Sequence, residues 1–229
     1  MTKTITATLC ISIFIASYGQ EKTEKETSHS EQTQTTHKQV TINTPDDALA
    51  ELKNGNQRFV DGKLTNTNYK EQIEHTKSDQ HPHSVILSCL DSRIPPEIIF
   101  DQGIGNIFVA RNAGNIEDLN VLGSMEFATK VKGTKLIVVM GHNHCGAVKG
   151  AIEDAQLGNL TQLVEQIKPA ISTTKNKELI HDETSKNNVK MTIDHILERS
   201  PTISDLVKEN KVKIVGAYYD LTTGKVVFF

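Results

Sequence analysis

Two short stretches of this 229-residue chain carry side chains that can hold a metal ion, Ser88-Cys89-Leu90-Asp91-Ser92-Arg93 and Gly141-His142-Asn143-His144-Cys145-Gly146. Two thiolates and one imidazole, from Cys89, Cys145 and His142, make a good donor set for Zn2+, one ion per chain. Three protein ligands leave the fourth tetrahedral position open, as in a catalytic site, whereas a structural site closes with a fourth Cys or His. His-x-x-Cys alone is a weak signal; paired with Cys-x-Asp-x-Arg at a second strand end it becomes specific. Two thiolates cancel the formal charge of the ion, so less positive field remains to acidify a bound water than three imidazoles would leave. Asp91 can compensate by orienting that water and accepting its hydrogen bond. If the strand geometry persists, Arg93, two residues further on, shares the face of Asp91. It can grip Asp91 in a bidentate fork and keep it ionised.

More than fifty residues separate the two stretches, so the fold must bring them together. Short, β-branched apolar runs at 84–90, 106–110, 135–140 and 213–219 read as strands buried on both faces. Residues 225–229 follow Thr223-Gly224 as a hairpin partner. Thr44-Pro45-Asp46-Asp47 opens an amphipathic helix that runs to about Asp61. Further helices are expected at 68–77, 95–100, 117–130, 147–155, 160–171 and 186–199. Alternating strands and helices imply an α/β fold: a parallel sheet with right-handed crossovers and helices on its flanks. In the common strand order 2-1-3-4 the first and third strands are neighbours at the switch point, where ligands bind beyond the carboxyl ends. Cys89, His142 and Cys145 then converge.

The length suits one substantial core, and the composition is ordinary, with 37% hydrophobic and 23% charged residues. A formal net charge of −3 and the lack of a dense Lys/Arg block give no reason to expect nucleic acid as a partner. Residues 1–19 read as a signal peptide: Lys3, an apolar stretch over 5–16, then small residues at Ser17 and Gly19. The stretch is shorter than the roughly 20 residues that span a bilayer, so no stable membrane span is expected. Cys10 follows Leu9 rather than a small residue and does not suit lipidation. Residues 20–40, rich in Thr, Glu, Gln, Lys and Ser, read as a flexible tether before a folded domain over 41–229. The protein is therefore expected outside the cytoplasm, in a periplasm, or in the cytoplasm if the leader is not cleaved. Cleavage would leave Cys89 and Cys145, and in an oxidising compartment two cysteines also read as one disulfide. That reading gives no reason for His142, Asp91 and Arg93.

From about residue 48 to 229, most densely over 80–148, the chain resembles the β-class carbonic anhydrases. Cys89-Leu90-Asp91-Ser92-Arg93 and His142-x-x-Cys145-Gly146 resemble the family's zinc motifs, and Arg111-Asn112-Ala113-Gly114-Asn115 the stretch between them. Gln80-His81-Pro82, Phe108 and the closing Ala217-Tyr218-Tyr219-Asp220 and Gly224-Lys225-Val226 also match. The resemblance implies reversible hydration of carbon dioxide to bicarbonate and a proton, with a small-molecule substrate. It implies a four-stranded parallel core with a fifth strand, and an N-terminal helical arm embracing a partner. The assembly would be a homodimer or homotetramer with active-site residues from both sides of the interface. Gln80 would hydrogen-bond substrate, Phe108 and Gly146 would line its pocket, and Asp91 would either pair with Arg93 or swing in as fourth zinc ligand, shutting the enzyme at lower pH. Some members hold a non-catalytic bicarbonate with a Trp three residues before the first Cys; Ile86 stands there, although the Arg partner is present as Arg111. An export signal is a departure from a family that is mostly cytoplasmic or in organelles. The same ligands would also serve a hydrolase of carbonyl sulfide or carbon disulfide. A non-catalytic exported zinc-binding protein would need neither Gln80 nor the Asp91–Arg93 pair. His144 reads equally as a proton carrier or a solvated group. His75, His81, His83, His181 and His195 have no partner at ligand spacing.

Overall fold

A computed structural model describes residues 41–229; the leader, the tether and Cys10 lie outside the described residues. The first helix, α1 (Pro45–Val60), opens on a reciprocal cap in which Asp47 N–H donates to Thr44 Oγ1 and Thr44 N–H donates to the Asp47 carboxylate. One helical turn apart, Ala48 and Leu52 are fully buried in the core of their own chain. Asn56, a turn later, is a polar clasp. Its amide donates to the carbonyls of Ile99 and Gly224, and its oxygen accepts from Val226 N–H. Ala48 and Leu52, from the apolar stripe read in the sequence, thus pack into the core of this chain.

Along the chain there follow α2 (Tyr69–Thr76), β1 (Ser84–Cys89), α3 (Pro96–Ile99), β2 (Ile107–Asn112) and a 3-10 turn at Ala113–Asn115. Next come α4 (Leu119–Glu126), a π-turn at Phe127–Val131, β3 (Leu136–His142), α5 (Gly146–Ile152) and α6 (Gly158–Ile167). A 3-10 turn at Lys168–Ala170 leads to α7 (Ile180–Arg199), α8 (Pro201–Lys208), β4 (Lys213–Tyr219) and β5 (Val226–Phe228). The sheet order is β2-β1-β3-β4-β5, parallel up to β4 and antiparallel for the last pair. That is the expected 2-1-3-4 order with a fifth strand.

The apolar runs are continuous because helices cover both faces. Ile86, Leu136, Val138 and Met140 point to one face, against α1, α3, α5 and α6. Val85, Leu87, Ile137 and Val139 point to the other, against α4, α7 and α8. Sequence periodicity missed α8, although its start signals are present: Ser200 Oγ accepts from Ile203 N–H, with Pro201 at the first helical position. It also started α7 six residues late, because Ser185, Asn188 and Thr192 are polar yet buried and break the apolar stripe. Two strands run past their expected ends, β2 to Asn112 and β3 to His142. The second extension keeps a candidate ligand on a strand.

Gly55 sits inside α1, where helix propensity favours Ala by about 0.8–1.0 kcal/mol. A Cβ there would lie 1.8 Å from the Phe100 carbonyl oxygen. The steric term wins: Gly55→Ala should lower the thermal and urea midpoints rather than raise them. A raised midpoint would mean that α1 is not pressed onto the end of α3 in this way.

Candidate metal and active site

β1 and β3 are neighbours, with Ser88 beside Met140. Cys89 and His142 therefore leave the same edge of the sheet, one residue apart in register. Gly141 permits this closeness: a Cβ there would lie 2.8 Å from Val189 Cγ2 and 2.9 Å from Ser185 Oγ, both on α7. After His142 the chain turns through His144, whose φ of 53° is left-handed, and delivers Cys145 to the start of α5. His144 itself is exposed.

The donor atoms of Cys89, His142 and Cys145 all lie within 4.8 Å of one another, and all three residues are buried. The two sulfurs are 3.9 Å apart. Two sulfurs each about 2.3 Å from one tetrahedral ion would be separated by about 3.8 Å, whereas a disulfide needs about 2.05 Å. Both cysteines are free thiols, so the disulfide reading does not describe this structure.

His142 is set up as a ligand. Its Nδ1 lies 2.7 Å from the Asn143 carbonyl, which can only accept, so Nδ1 carries the proton and Nε2 a lone pair. Nε2 is buried and has no hydrogen-bond partner among the described residues. An unpaired buried acceptor costs about 1–3 kcal/mol, and it belongs to the ring that meets the two sulfurs. The thiols make the same demand. A proton shared with Cys145 favours ionisation of Cys89, against burial and with help from the Gly114 N–H at 3.4 Å. The Cys89 charge beside it, together with burial, pushes Cys145 up, and the Val148 and Ala147 amides only partly counter this. The pocket accepts one negative charge readily and resists a second unless a cation sits between the sulfurs. A soft divalent ion suits the donor set.

Asp91 stands beside this cluster, gripped by Arg93. Arg93 Nε donates at 2.9 Å and Nη2 at 2.7 Å, and the Arg93 backbone N–H donates at 3.0 Å. The Arg93 hydrogen bonds hold the Asp91 carboxyl down at about 2, although burial opposes them. In this conformation Asp91 is not among the converging donors. Arg111 braces the loop, donating to the carbonyl oxygens of Cys89 (3.0 Å) and Asp91 (2.5 Å).

The other residues singled out from the sequence lie outside the cluster. Gln80 is exposed, in the loop between α2 and β1. Phe108 is half-buried, opposite Val85 and edge-on to Phe127 at 6.3 Å between centroids. It lies four residues, about 13 Å of strand, before Asn112, the partner of Cys89. Gly146 is exposed, with open space where a Cβ would stand. His195, which had no partner at ligand spacing, pairs with buried Glu117 at 3.1 Å, and Arg199 joins them at 2.8 Å. Sequence reasoning passed over Ser185, whose hydroxyl donates to the His142 carbonyl, and Asn188, whose amide donates to Gly114. Their signal was small polar residues at helical spacing on the face of α7 that meets the sheet.

The family model described as carbonic anhydrase matches residues 84–226. "Carbonic anhydrase 2" of Mycobacterium tuberculosis is 39% identical over 185 residues, covering 77% of this chain and 88% of the relative. The carbonic anhydrase of Mycolicibacterium smegmatis is 38% identical over 182 residues, covering 76% and 88%. Among solved structures, a β-carbonic anhydrase of Aspergillus fumigatus superposes with a TM-score of 0.65 at 23% identity, covering 80% of this chain and 89% of that one. Tetrameric β-carbonic anhydrases of Sordaria macrospora include a chain with a TM-score of 0.63 at 24% identity, covering 80% and 97%. These two likenesses speak for the fold.

The Asp91–Arg93 fork has a direct signature in titration. In metal-free protein the Asp91 carboxyl should titrate at about pH 2, and Arg93→Gln should move its midpoint up toward the ordinary 3.8. Carbon NMR of the aspartate carboxyls reads both. Because the folded value is depressed, the pair's contribution to stability is complete above about pH 4 and fades as pH falls toward 2. A midpoint unmoved by Arg93→Gln would remove Arg93 as the cause.

Proposed function

This chain belongs to the β-carbonic anhydrase family and is a carbonic anhydrase, and from that premise we propose that it catalyses zinc-dependent, reversible hydration of carbon dioxide to bicarbonate and a proton. The observation that carries the reading is the buried trio itself, two sulfurs 3.9 Å apart facing an imidazole nitrogen that nothing else uses. Cys89, His142 and Cys145 would hold the ion. Zinc, when bound, supplies a Lewis acid that lowers the pKa of a coordinated water toward about 7.

The chain's own residues do the positioning. Asp91 is an ionised acceptor throughout the neutral range, because Arg93 holds its carboxyl near 2. It can therefore take a hydrogen bond from the attacking oxygen and fix its lone pair toward the substrate. Arg93 occupies both Asp91 oxygens with N–H donors and so sets the carboxylate plane. Arg111 keeps Cys89 and Asp91 in fixed relation by holding both their carbonyls. We assign Gln80 to hydrogen bonding of the substrate, and Phe108 and Gly146 to the pocket wall. Gln80 is exposed and Phe108 lies well along β2, which supports a pocket completed by a second copy of the chain in a homodimer or homotetramer. The leader read over residues 1–19 supports export. Among the described residues, no helix is long and apolar enough to cross a membrane.

Stopped-flow hydration of carbon dioxide above about pH 8, with zinc measured on the same batch, tests the reading. About one zinc per chain and fast turnover are expected. Cys89→Ser should lose both, while Asp91→Asn should keep the zinc and lose roughly 10- to 100-fold in turnover. Zinc without hydration would overturn the reaction and move the protein toward hydrolysis of a sulfur analogue. A chain that takes up no zinc would overturn the metal itself.

A further inference from the structure

The turn behind Cys89 is held in a conformation that needs support. Gly114 has φ 77°, and Asn115 after it has φ 46°, so two consecutive residues are left-handed. A non-glycine residue in this region carries strain of about 1–3 kcal/mol and persists only where its surroundings impose it. Space at 114 is also tight: a Cβ there would lie 2.5 Å from Ile167 Cδ1 and 3.3 Å from Ala147 Cβ, so both neighbours would have to give way. The result is that the Gly114 N–H points at the Cys89 sulfur, 3.4 Å away.

Three sets of contacts impose this shape. Asn112 spans the base of the turn, donating to the Ile116 carbonyl at 2.7 Å and accepting from Ile116 N–H at 3.0 Å. Glu117 is clamped by His195 and Arg199 from the far half of α7. Between them, Asn188 of α7 is wholly buried, and its side-chain amide donates to the Gly114 carbonyl at 2.7 Å. A polar side chain with no exposure, on the helix face that packs against an apolar sheet, is costly unless a specific bond repays it. Its bond falls on Gly114, whose N–H meets the Cys89 sulfur.

We propose that Asn188 is a positioning residue for the metal centre, holding Gly114 so that its N–H stays on the Cys89 sulfur. The proposal rests on the zinc reading above and extends it to a residue outside both motifs. A hydrogen bond to a thiolate favours the charged sulfur and draws density from it. Supporting contacts of this kind typically change metal affinity by about 10- to 100-fold when removed. Asn188 touches neither ion nor substrate, so its effect must pass through Gly114.

Chelator competition on the full chain gives the zinc dissociation constant, and cobalt substitution gives the energy of the sulfur-to-metal charge-transfer band. Asn188→Ala should weaken zinc binding by about 10- to 100-fold and move the cobalt band to lower energy, as an unbonded thiolate gives up charge more easily. Asn188→Asp keeps the size of the side chain but puts oxygen in place of the donor; it serves if the alanine variant does not fold. Ile203→Ala, at a fully buried position of α8, is the control for lost stability and should leave both readings unchanged. A folded Asn188 variant with wild-type zinc affinity and an unmoved band would overturn the proposal. An equal shift in Ile203→Ala would also overturn it, by showing that general stability is the cause. Wild-type protein that binds neither metal would sink the zinc reading, which is a different failure from either of these.

Discussion

Two sulfur atoms buried 3.9 Å apart cannot both be charged without a cation between them, and much of the architecture follows from placing them there. The Cys89 charge and burial push the Cys145 ionisation up, while the proton shared with Cys145 and the Gly114 amide pull that of Cys89 down. A disulfide does not relieve the conflict, since the two sulfurs are too far apart to be bonded. Asp91, the nearest carboxylate in sequence, is kept occupied by Arg93. The protein thus concentrates negative charge and a free imidazole lone pair in one buried place, a donor set that suits a soft divalent ion.

Holding that arrangement is the work of the sheet edge and of α7. Parallel pairing of β1 with β3 fixes the separation of Cys89 and His142 through backbone hydrogen bonds, which is stiffer than any loop could be. α7 then lies along the same edge as a backing plate. It approaches closely at Gly141, donates from Ser185 to the His142 carbonyl, and holds the segment from Gly114 to Glu117 at three residues. Asn143 adds a tie from the other side: its own N–H donates to the Tyr219 carbonyl, and its side-chain oxygen accepts from Leu221 N–H. The carbonyl that fixes the His142 tautomer is therefore anchored to the end of β4. Each candidate ligand is oriented by backbone groups that are themselves pinned, which is how a rigid donor set is kept when no single contact is strong.

The polar machinery outside the cluster is distributed differently. Asp91, Arg93 and Arg111 form one connected patch at the mouth, in which a guanidinium from β2 and another from the β1 loop share the carbonyl and carboxylate oxygens of Asp91. Gln80 and Phe108 are not part of that patch: Gln80 is exposed in the loop before β1, and Phe108 lies four residues before Asn112 along β2. The β-carbonic anhydrases of Sordaria macrospora share this fold.

How much of this was readable follows from which interactions are local. The runs at β1, β3 and β4 are apolar, β-branched and short, so strand identity, parallel order and the convergence of Cys89 with His142 and Cys145 could be read before any coordinates. Residues 44–47 announced α1 because capping is a contact between residues three apart. The Asp91–Arg93 fork was likewise a two-residue matter. What sequence could not supply depended on residues far apart in the chain. α7 carries buried Ser185, Asn188 and Thr192, and their polarity makes sense only beside the loops they hold, so its first turns went unread. His195 had no partner at ligand spacing, and it was the fold that brought Glu117, 78 residues away, against its ring. Residue types and their spacing determined the donor set and its chemistry, because those are properties of single side chains and of strand ends. The tertiary structure alone decided which amides reach the sulfurs and that the thiols stay unbonded, because those depend on distances of a few tenths of an ångström between elements the chain joins only by folding.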